Sequence, residues 1–306
     1  MIHINDTRTY HKEHITTLGW ELTVCNMLYP EESPCREVVK KNASYGTLLY
    51  EFLSGFIDMK QVKSIMEVGG GYGFIMKDFL ALCPQVHVTM VDISPAMLEE
   101  QRKNVVGAVT FIQSDFLELN NGILKNIDCI ICNEIIGDFV TVCNITDEIL
   151  QLSSSPEIKE CKRLIHEYNL DITTTPFNFN LGALLAIEKI CKAGTKYIYV
   201  SEHSCESESK GDFRECVPIR PTFNPREIRL FGHSEYTIRF SHIEAVARKW
   251  GYTVHRGVYN DIFGCRMTPK LQFILNSAAS AKDEYEILRQ FIDDMFTYEY
   301  IICSKK

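Results

Sequence analysis

No stretch of about 18 or more apolar residues occurs in this chain of 306 residues, which excludes a membrane-spanning helix. No run of Lys or Arg occurs either, and the formal net charge is −8. Nucleic-acid grooves and anionic membrane surfaces attract through clustered positive charge, so neither is an expected partner. A basic or neutral target fits this balance better. No internal repeat is visible. No secretory segment precedes "MIHINDTRTYHKEH", and a cytoplasmic protein is the expectation. With 45% hydrophobic residues the chain is not compositionally disordered and has enough apolar surface for one large core or two modest ones.

Cysteine, by contrast, is plentiful, with twelve in the chain. A protein with a real core needs no disulfide scaffold, so reduced and mostly buried thiols are expected. The tightest pair, Cys129 and Cys132 in "IDCIIC", tests that expectation. In a strand, positions three apart point to opposite faces of the sheet, which is wrong for two ligands of one metal. Two core thiols are predicted there, and no metal site is expected in the chain.

Short apolar runs alternate with segments of helical period from residue 61 onward. "KSIMEV", "VHVTMVD", "VTFIQ" and "IDCIIC" read as strands; "FIMKDFLALC" and "PAMLEEQRKNV" read as helices, the second with Pro in its first turn. Such alternation predicts an α/β fold, a mostly parallel sheet with helices on both faces. Residues 1–60 are expected to be a helical segment in which "SYGTLLYEFLSGFI" covers an edge or the ligand. Residues 61–142 form the ligand-binding core. Residues 143–180 are polar, carry a Ser run and a Thr run, lack strong strand candidates and read as an inserted cap. Residues 181–306 complete the domain: "LGALLAIEKICKAG" is a helix ended by Gly194, "TKYIYVSE" a strand, 202–236 an irregular substrate segment, "SHIEAVARKWG" a helix, and "YTVHRGV" and "LQFIL" closing strands.

The stretch "SIMEVGGGYGFIMKDF" places four glycines at the first strand-to-helix turn, where open α/β sheets bind ligands. A dinucleotide fingerprint requires G-x-G-x-x-G, and its third glycine is Phe74 or Met76 here, depending on the register. A phosphate loop requires Lys-Ser or Lys-Thr after the glycines, and neither follows. The stretch fits E-x-G-x-G-x-G with Glu67, Gly69, Gly71 and Gly73 in register. It resembles the first motif of class I S-adenosylmethionine-dependent methyltransferases, which implies a Rossmann-like fold with a seven-stranded sheet, S-adenosyl-L-methionine as cofactor and S-adenosyl-L-homocysteine as product. The resemblance implies that Tyr72 lies against the methionyl chain and that Asp92, with Ile93 beside it in "VDIS", accepts hydrogen bonds from the ribose hydroxyls. It further implies that Asp115 and Phe116 in "FIQSDF" hold the adenine and that Asn133 lies next to the methyl group. Taken singly, Asp92 and Asp115 are equally helix caps or solvated turn residues.

More narrowly, the chain resembles the MidA-like family of protein arginine methyltransferases over roughly residues 43 to 275. The matching stretches are "YGTLLYEFL", "EVGGGYGFIMKDFL", "DISPAMLEEQ", "CNEIIGDFVTV" and "EYTIRFSHIEAVARKWG". The chain departs from that family at Gly70, where the family has proline, at Asp92 for glutamate, at Gly137 for aspartate, and at Ser241 and His242 for an Asp-Phe pair. The resemblance implies a methyl acceptor on a peptide or protein side chain, of the arginine type. Those departures that lie on the acceptor side leave open a small metabolite or natural product. A third reading is a non-catalytic assembly factor that keeps the cofactor fold.

The sulfonium methyl is already activated, so the protein has to place a nucleophile in line with it and deal with one proton. Glu134 is the first candidate to orient a cationic or amine acceptor, and Asp138 the second. Acidic residues at a helix N-terminus are the alternative account of both. Glu202 and His203 are delivered to the same mouth by the fifth strand, and His233 and His242 approach from the irregular segment. A neutral His203 is a candidate base. A closed cap lined by Phe177, Phe179 and Tyr236 would indicate a small acceptor. The oligomeric state stays open between a monomer and a homodimer.

Overall fold

In the computed structural model, which describes residues 2–14, 23–172, 174–277 and 282–305, the predicted alternation builds one central sheet. Its strands are β1 (Ser64–Val68), β2 (His87–Asp92), β3 (Val109–Gln113), β4 (Cys129–Asn133), β5 (Tyr197–His203), β6 (Thr253–Val258) and β7 (Tyr298–Ser304). The spatial order is β3-β2-β1-β4-β5-β7-β6. Strands β1 to β5 pair in parallel, while β7 is antiparallel to both of its neighbours. This is the Rossmann-like class I methyltransferase fold. The order reverses between β1 and β4, so the C-terminal ends of those strands open on a crevice.

The burial of β4 explains its sequence. All five residues of Cys129–Asn133 are buried, because helices cover both faces of the sheet. Cys129 and Ile131 join one apolar cluster and Ile130 and Cys132 the other, so the two thiols do lie on opposite faces. All twelve cysteines are free. Helices α1 (Tyr45–Leu53) and α2 (Phe74–Leu82) pack on the Cys129 face; α3 (Pro95–Asn104) follows β2. Helices α4 (Pro156–Tyr168), α5 (Leu181–Ala193) and α6 (Phe240–Lys249) pack on the Cys132 face, and α7 (Asp283–Thr297) returns to the first. Local chemistry sets their ends. The Ser94 side chain accepts from Met97 N ahead of Pro95, and Gly194 closes α5 at φ 82°.

Three expectations fail. "LQFIL" is not a strand: it lies in the helix Pro269–Asn276, where Thr268 accepts from Leu271 N, Pro269 opens the first turn, and Leu271 and Ile274 are buried one turn apart. The closing strand is instead "YEYIICS", β7, inserted between β5 and β6. The N-terminal segment is not wholly helical, since His3–Asn5 pairs antiparallel with Thr141–Ile145. The cap is not free of strands either, because Thr141–Ile145 and Phe177–Phe179 pair around it. The cap is fastened to the core through Glu188, only 4% exposed. Its carboxylate accepts from Arg163 at 2.7 and 3.0 Å, from Tyr168 at 2.6 Å and lies 2.8 Å from Lys192 Nζ. Burial would raise the Glu188 pKa; these donors outweigh it and bring it to about 2.

Gly73 caps α2 at φ 80°, and a Cβ there would stand 2.5 Å from Val105 Cγ2 at the end of α3. Both the left-handed backbone and the close approach require glycine. Gly73→Ala is expected to cost on the order of 1–3 kcal/mol, read as a lower urea midpoint. An unchanged midpoint would show that the turn adapts freely.

Candidate active site

The crevice beyond β1 and β4 is a cavity of about 560 Å³, within the usual range for small-molecule sites. Glu67, Gly69, Gly71, Tyr72, Asp92, Ile93, Asp115, Phe116, Asn133, Glu134, Asp138 and His203 all line it. Among the predicted cofactor residues Gly73 alone does not, because its place is the packing of α2 on α3 described above. Gly69, at φ 65°, lies so close to Ile135 that a Cβ would meet its side chain at 2.5 Å. A Cβ at Gly70 would meet Met90 Cε at 2.5 Å and Glu67 Oε2 at 2.6 Å, so the proline found there in MidA-like proteins has no room in this arrangement.

Glu67 is 1% exposed, and neither carboxylate oxygen has a hydrogen-bond partner. Burial, with a smaller contribution from Asp92, pushes its pKa up to about 8. Asp92 ends β2. Its Oδ1 accepts from Ser94 N at 2.9 Å and its Oδ2 from Gln101 Nε2 at 2.8 Å. The same Gln101 amide donates to Gly71 O at 3.1 Å, so one side chain of α3 fixes both the glycine turn and the acidic strand end. Burial raises the Asp92 pKa against these hydrogen bonds. Asp115 Oδ1 accepts from Leu117 N at 2.8 Å, its Oδ2 is buried without a hydrogen bond, and Arg8 Nη1 stands 3.6 Å from that oxygen.

Asn133 is held by a buried hydroxyl cluster. Its Oδ1 accepts from Tyr45 OH, from Ser201 Oγ at 2.9 Å and from Tyr259 OH at 3.2 Å, while its Nδ2 donates to Glu134 Oε1 at 3.3 Å. Glu134 itself has φ 52°, an unfavourable backbone for a residue with a Cβ, and its N donates to Ser201 O at 3.0 Å. Tyr298 OH donates to its Oε2 at 3.3 Å. Burial first, then the negative charges of Glu202 and Asp294, push the Glu134 pKa up to about 8.

His203 packs against Tyr298 with ring centroids 3.8 Å apart and planes tilted by 37°, and stands between Glu202 and Asp294, at 3.7 and 3.8 Å. Burial alone would lower its pKa, but these two carboxylates raise it to about 10. His203 is therefore cationic at neutral pH, which corrects its expected role as a neutral base. Asp138 faces the cavity, yet its Oδ1 is 2.8 Å from His11 Nε2 and 3.5 Å from His233 Nε2. Burial opposes ionisation of Asp138, and the two histidines outweigh it and hold its pKa below the usual value. His242 does not reach the site: its Nε2 lies 2.9 Å from Asp171 O, beyond the cavity lining, and burial pushes its pKa down to about 4. Phe177, Phe179 and Tyr236 are not lining residues; the first two are buried in the apolar cluster on the Cys132 face.

Residues 65–151 match a family model described as a methyltransferase domain. Over this segment the chain is similar to a methyltransferase domain, and the sheet that carries it has the class I strand order. The match covers the strands that carry Glu67, Asp92, Asp115, Asn133 and Glu134. No curated protein sequence matches the chain significantly. Among solved structures, the chain is similar to magnesium protoporphyrin IX methyltransferase from Synechocystis PCC 6803 with bound S-adenosyl-L-homocysteine, at 11% identity, TM-score 0.41, and 85% and 80% coverage of the two chains. It is also similar to the plantazolicin methyltransferase BamL, at 12% identity, TM-score 0.44, and 85% and 84% coverage. At these scores neither likeness carries an argument, and the fold rests on strand order. Among the described residues no helix is long and apolar enough to cross a membrane.

Several residues of the methyltransferase cavity were invisible in the sequence. Thr7, Arg8 and His11 come from the N-terminal segment, Ile228, Leu230 and Glu235 from the hairpin Glu227–Tyr236, and Gln290, Asp294 and Tyr298 from α7 and β7. Tyr45, which holds Asn133 from behind the cavity lining, opens the predicted helix "YGTLLYEFL"; the hairpin residues fall in the expected substrate segment, and the N-terminal, α7 and β7 residues had no signal.

Proposed function

We propose that this domain transfers the methyl group to a cationic nitrogen of the arginine type, on a peptide or protein side chain. The supporting observation is the acidic end of the cavity, where Glu134, Glu202, Glu235 and Asp294 gather around His203. Burial first, then the neighbouring negative charges of Glu202, Asp294 and Asp138, push Glu134 and Glu235 up to about 8 even with His203 among them, so this end of the cavity favours a further cation. A guanidinium or ammonium supplies that cation. In this reading Asp92 takes the ribose hydroxyls, Asp115 and Phe116 the adenine, Tyr72 the methionyl chain, and Asn133 keeps Glu134 turned towards the methyl. A Glu134 carboxylate holds a guanidinium by two parallel hydrogen bonds, leaving the nitrogen to be methylated in line with the sulfonium. The nitrogen displaces the methyl from sulfur, the sulfur keeps the bonding pair as neutral S-adenosyl-L-homocysteine, and the extra proton leaves by way of the carboxylate.

A small cationic acceptor is the second reading. It is favoured by the roof over the cavity, made by Thr7, Arg8 and His11 and by Ile228 and Leu230 of the hairpin. Incubating the protein with methyl-labelled S-adenosylmethionine and a cell extract distinguishes the two. Label in acid-precipitable polypeptide, recovered as methylated arginine, is expected. Label confined to amine-bearing small molecules supports the second reading, and label on carboxyl or hydroxyl oxygens overturns both.

A further inference from the structure

One polar cluster beside the acceptor end plays no part in the proposed methyl transfer. His11, in the helix Arg8–Glu13, Asp138, in the single turn Ile136–Asp138, and His233, in the hairpin Glu227–Tyr236, come from three separate parts of the chain. Their ligand atoms all lie within 4.8 Å of one another. Both imidazoles aim Nε2 at the same oxygen, Asp138 Oδ1, at 2.8 Å for His11 and 3.5 Å for His233. The His233 side chain is 4% exposed, and neither of its ring nitrogens has a hydrogen-bond partner. Glu235 Oε1 stands 3.6 Å from His233 Nε2 on its other side.

The surroundings fix these groups in place. The Tyr10 ring stacks on His233 with centroids 4.2 Å apart and 21° between planes, and Tyr10 OH donates to Phe231 O at 3.0 Å. Thr7 Oγ donates to Asp138 O at 2.7 Å, and Asn5 Nδ2 donates to Ser234 O at 2.7 Å. A Cβ at Gly232 would stand 2.7 Å from the Tyr10 ring, so the hairpin turn is fitted to that residue.

We propose that His11, Asp138 and His233, with Glu235 as a fourth ligand, bind one divalent cation of the zinc type. Two imidazole nitrogens and two carboxylate oxygens are the donor set such ions take in four-coordinate sites. Metal–ligand bonds of about 2.0–2.2 Å place neighbouring donors about 3 to 4 Å apart; the distances from Asp138 Oδ1 to His11 and His233 and from Glu235 to His233 are 2.8, 3.5 and 3.6 Å, and Glu235 has to swing towards His11 and Asp138 to complete the set. Asp138 and Glu235 balance the charge of a dication. The ion also gives the buried Nε2 of His233 the partner that the polypeptide does not. Its structural effect is to tie residues 2–14 across the cavity, whose roof includes Thr7 and Arg8.

The nearby Glu202, His203 and Glu235 form a second group of possible ligands. There Glu202 already accepts from Gly137 N at 3.0 Å and His203 N at 2.9 Å, and His203 is flanked by two carboxylates. The first group is the better site because its two imidazoles converge on one oxygen.

The test uses tag-free, chelator-treated full-length protein loaded with Co²⁺ or Zn²⁺ and freed of excess metal by gel filtration. About one equivalent is expected to remain by elemental analysis, with a Co²⁺ visible spectrum typical of four nitrogen and oxygen donors. His11→Ala and His233→Ala are each expected to lower retention at least tenfold, and Glu202→Gln to leave it unchanged. Circular dichroism of each variant checks folding, and the wild-type stoichiometry and spectrum decide the matter where a variant fails to fold. No retained metal in the wild type, an intense thiolate charge-transfer band, or equal retention by folded His11→Ala and His233→Ala proteins would overturn the proposal. Because the readout is metal content, it is scored separately from the methyl acceptor, although Glu235 stands at both sites.

Discussion

Replacing Glu134 by glutamine is expected to lower kcat by about 10²- to 10⁴-fold while S-adenosylmethionine affinity changes less than about threefold. The carboxylate stands at the end of β4 with φ 52°, a backbone conformation maintained by the bond from its own N to Ser201 O and by Tyr298 and Asn133 around its side chain. Glutamine keeps the shape and one acceptor oxygen for Asn133 or Tyr298, but loses the other acceptor and the charge that orients a cation. The loss therefore falls on positioning of the acceptor. The pH dependence carries a second signature. A carboxyl raised to about 8 is mostly protonated at neutral pH in the free protein, and a cationic acceptor binds its charged form. The acceptor KM is thus expected to fall as pH rises from 6.5 towards 8, by up to about tenfold per unit, and to level off above it. In Glu134→Gln this slope should shrink. Steady-state kinetics across that range, with cofactor binding measured by calorimetry, checks both. Unchanged turnover with intact cofactor binding would remove Glu134 from the mechanism.

The second large effect is expected at Asp92. Asp92→Ala should raise the Kd for S-adenosylmethionine by about 10²-fold, since hydrogen bonds to a charged group are worth about 1.5–3 kcal/mol and 1.4 kcal/mol is tenfold. The side chain is buried at the strand end and already oriented by Ser94 N and Gln101 Nε2, so little order is lost when ribose hydroxyls arrive. Truncation also releases the Gln101 amide, which bridges to Gly71 O. Gln101→Ala separates the contributions: it keeps the carboxylate and should weaken binding by less than about tenfold. Calorimetric titration of both variants, with urea unfolding as a control on the fold, gives the comparison. A change below threefold for Asp92→Ala would show that the carboxylate serves the turn rather than the cofactor.

Much of the glycine-turn end of the cavity could be read without coordinates because it is made locally. Glu67 lies near the end of one strand, Gly69 and Gly71 follow it directly, and Asp92, Asp115 and Asn133 each sit at or just past the C-terminal end of another. Once four strands run parallel in register, residues at their ends meet in space whatever the details of packing. Gly73 shows the limit of that logic. It belongs to the motif, yet its neighbour is Val105 of the next helix end, not the cavity. "LQFIL" and "YEYIICS" show another: a short apolar run fits a strand or a buried helix turn equally well, and Thr268-Pro269 decided the first while sheet closure decided the second.

The acceptor end depended on tertiary structure. Asp138 meets His11 across 127 residues, Glu134 meets Tyr298 across 164, and Asn133 meets Tyr45 across 88. The charge state of His203 follows from Asp294, a helix residue in a segment that the sequence left unassigned. Periodicity, turn chemistry and strand ends are properties of a few adjacent residues, and they determined the fold class and the glycine turn, while the methyl donor was implied by the resemblance of those residues to a family motif. Which distant side chains share a buried pocket depends on strand order and on helices folding back over the sheet. There burial and neighbouring charge, which no short stretch of sequence contains, set the protonation of Glu134 and His203.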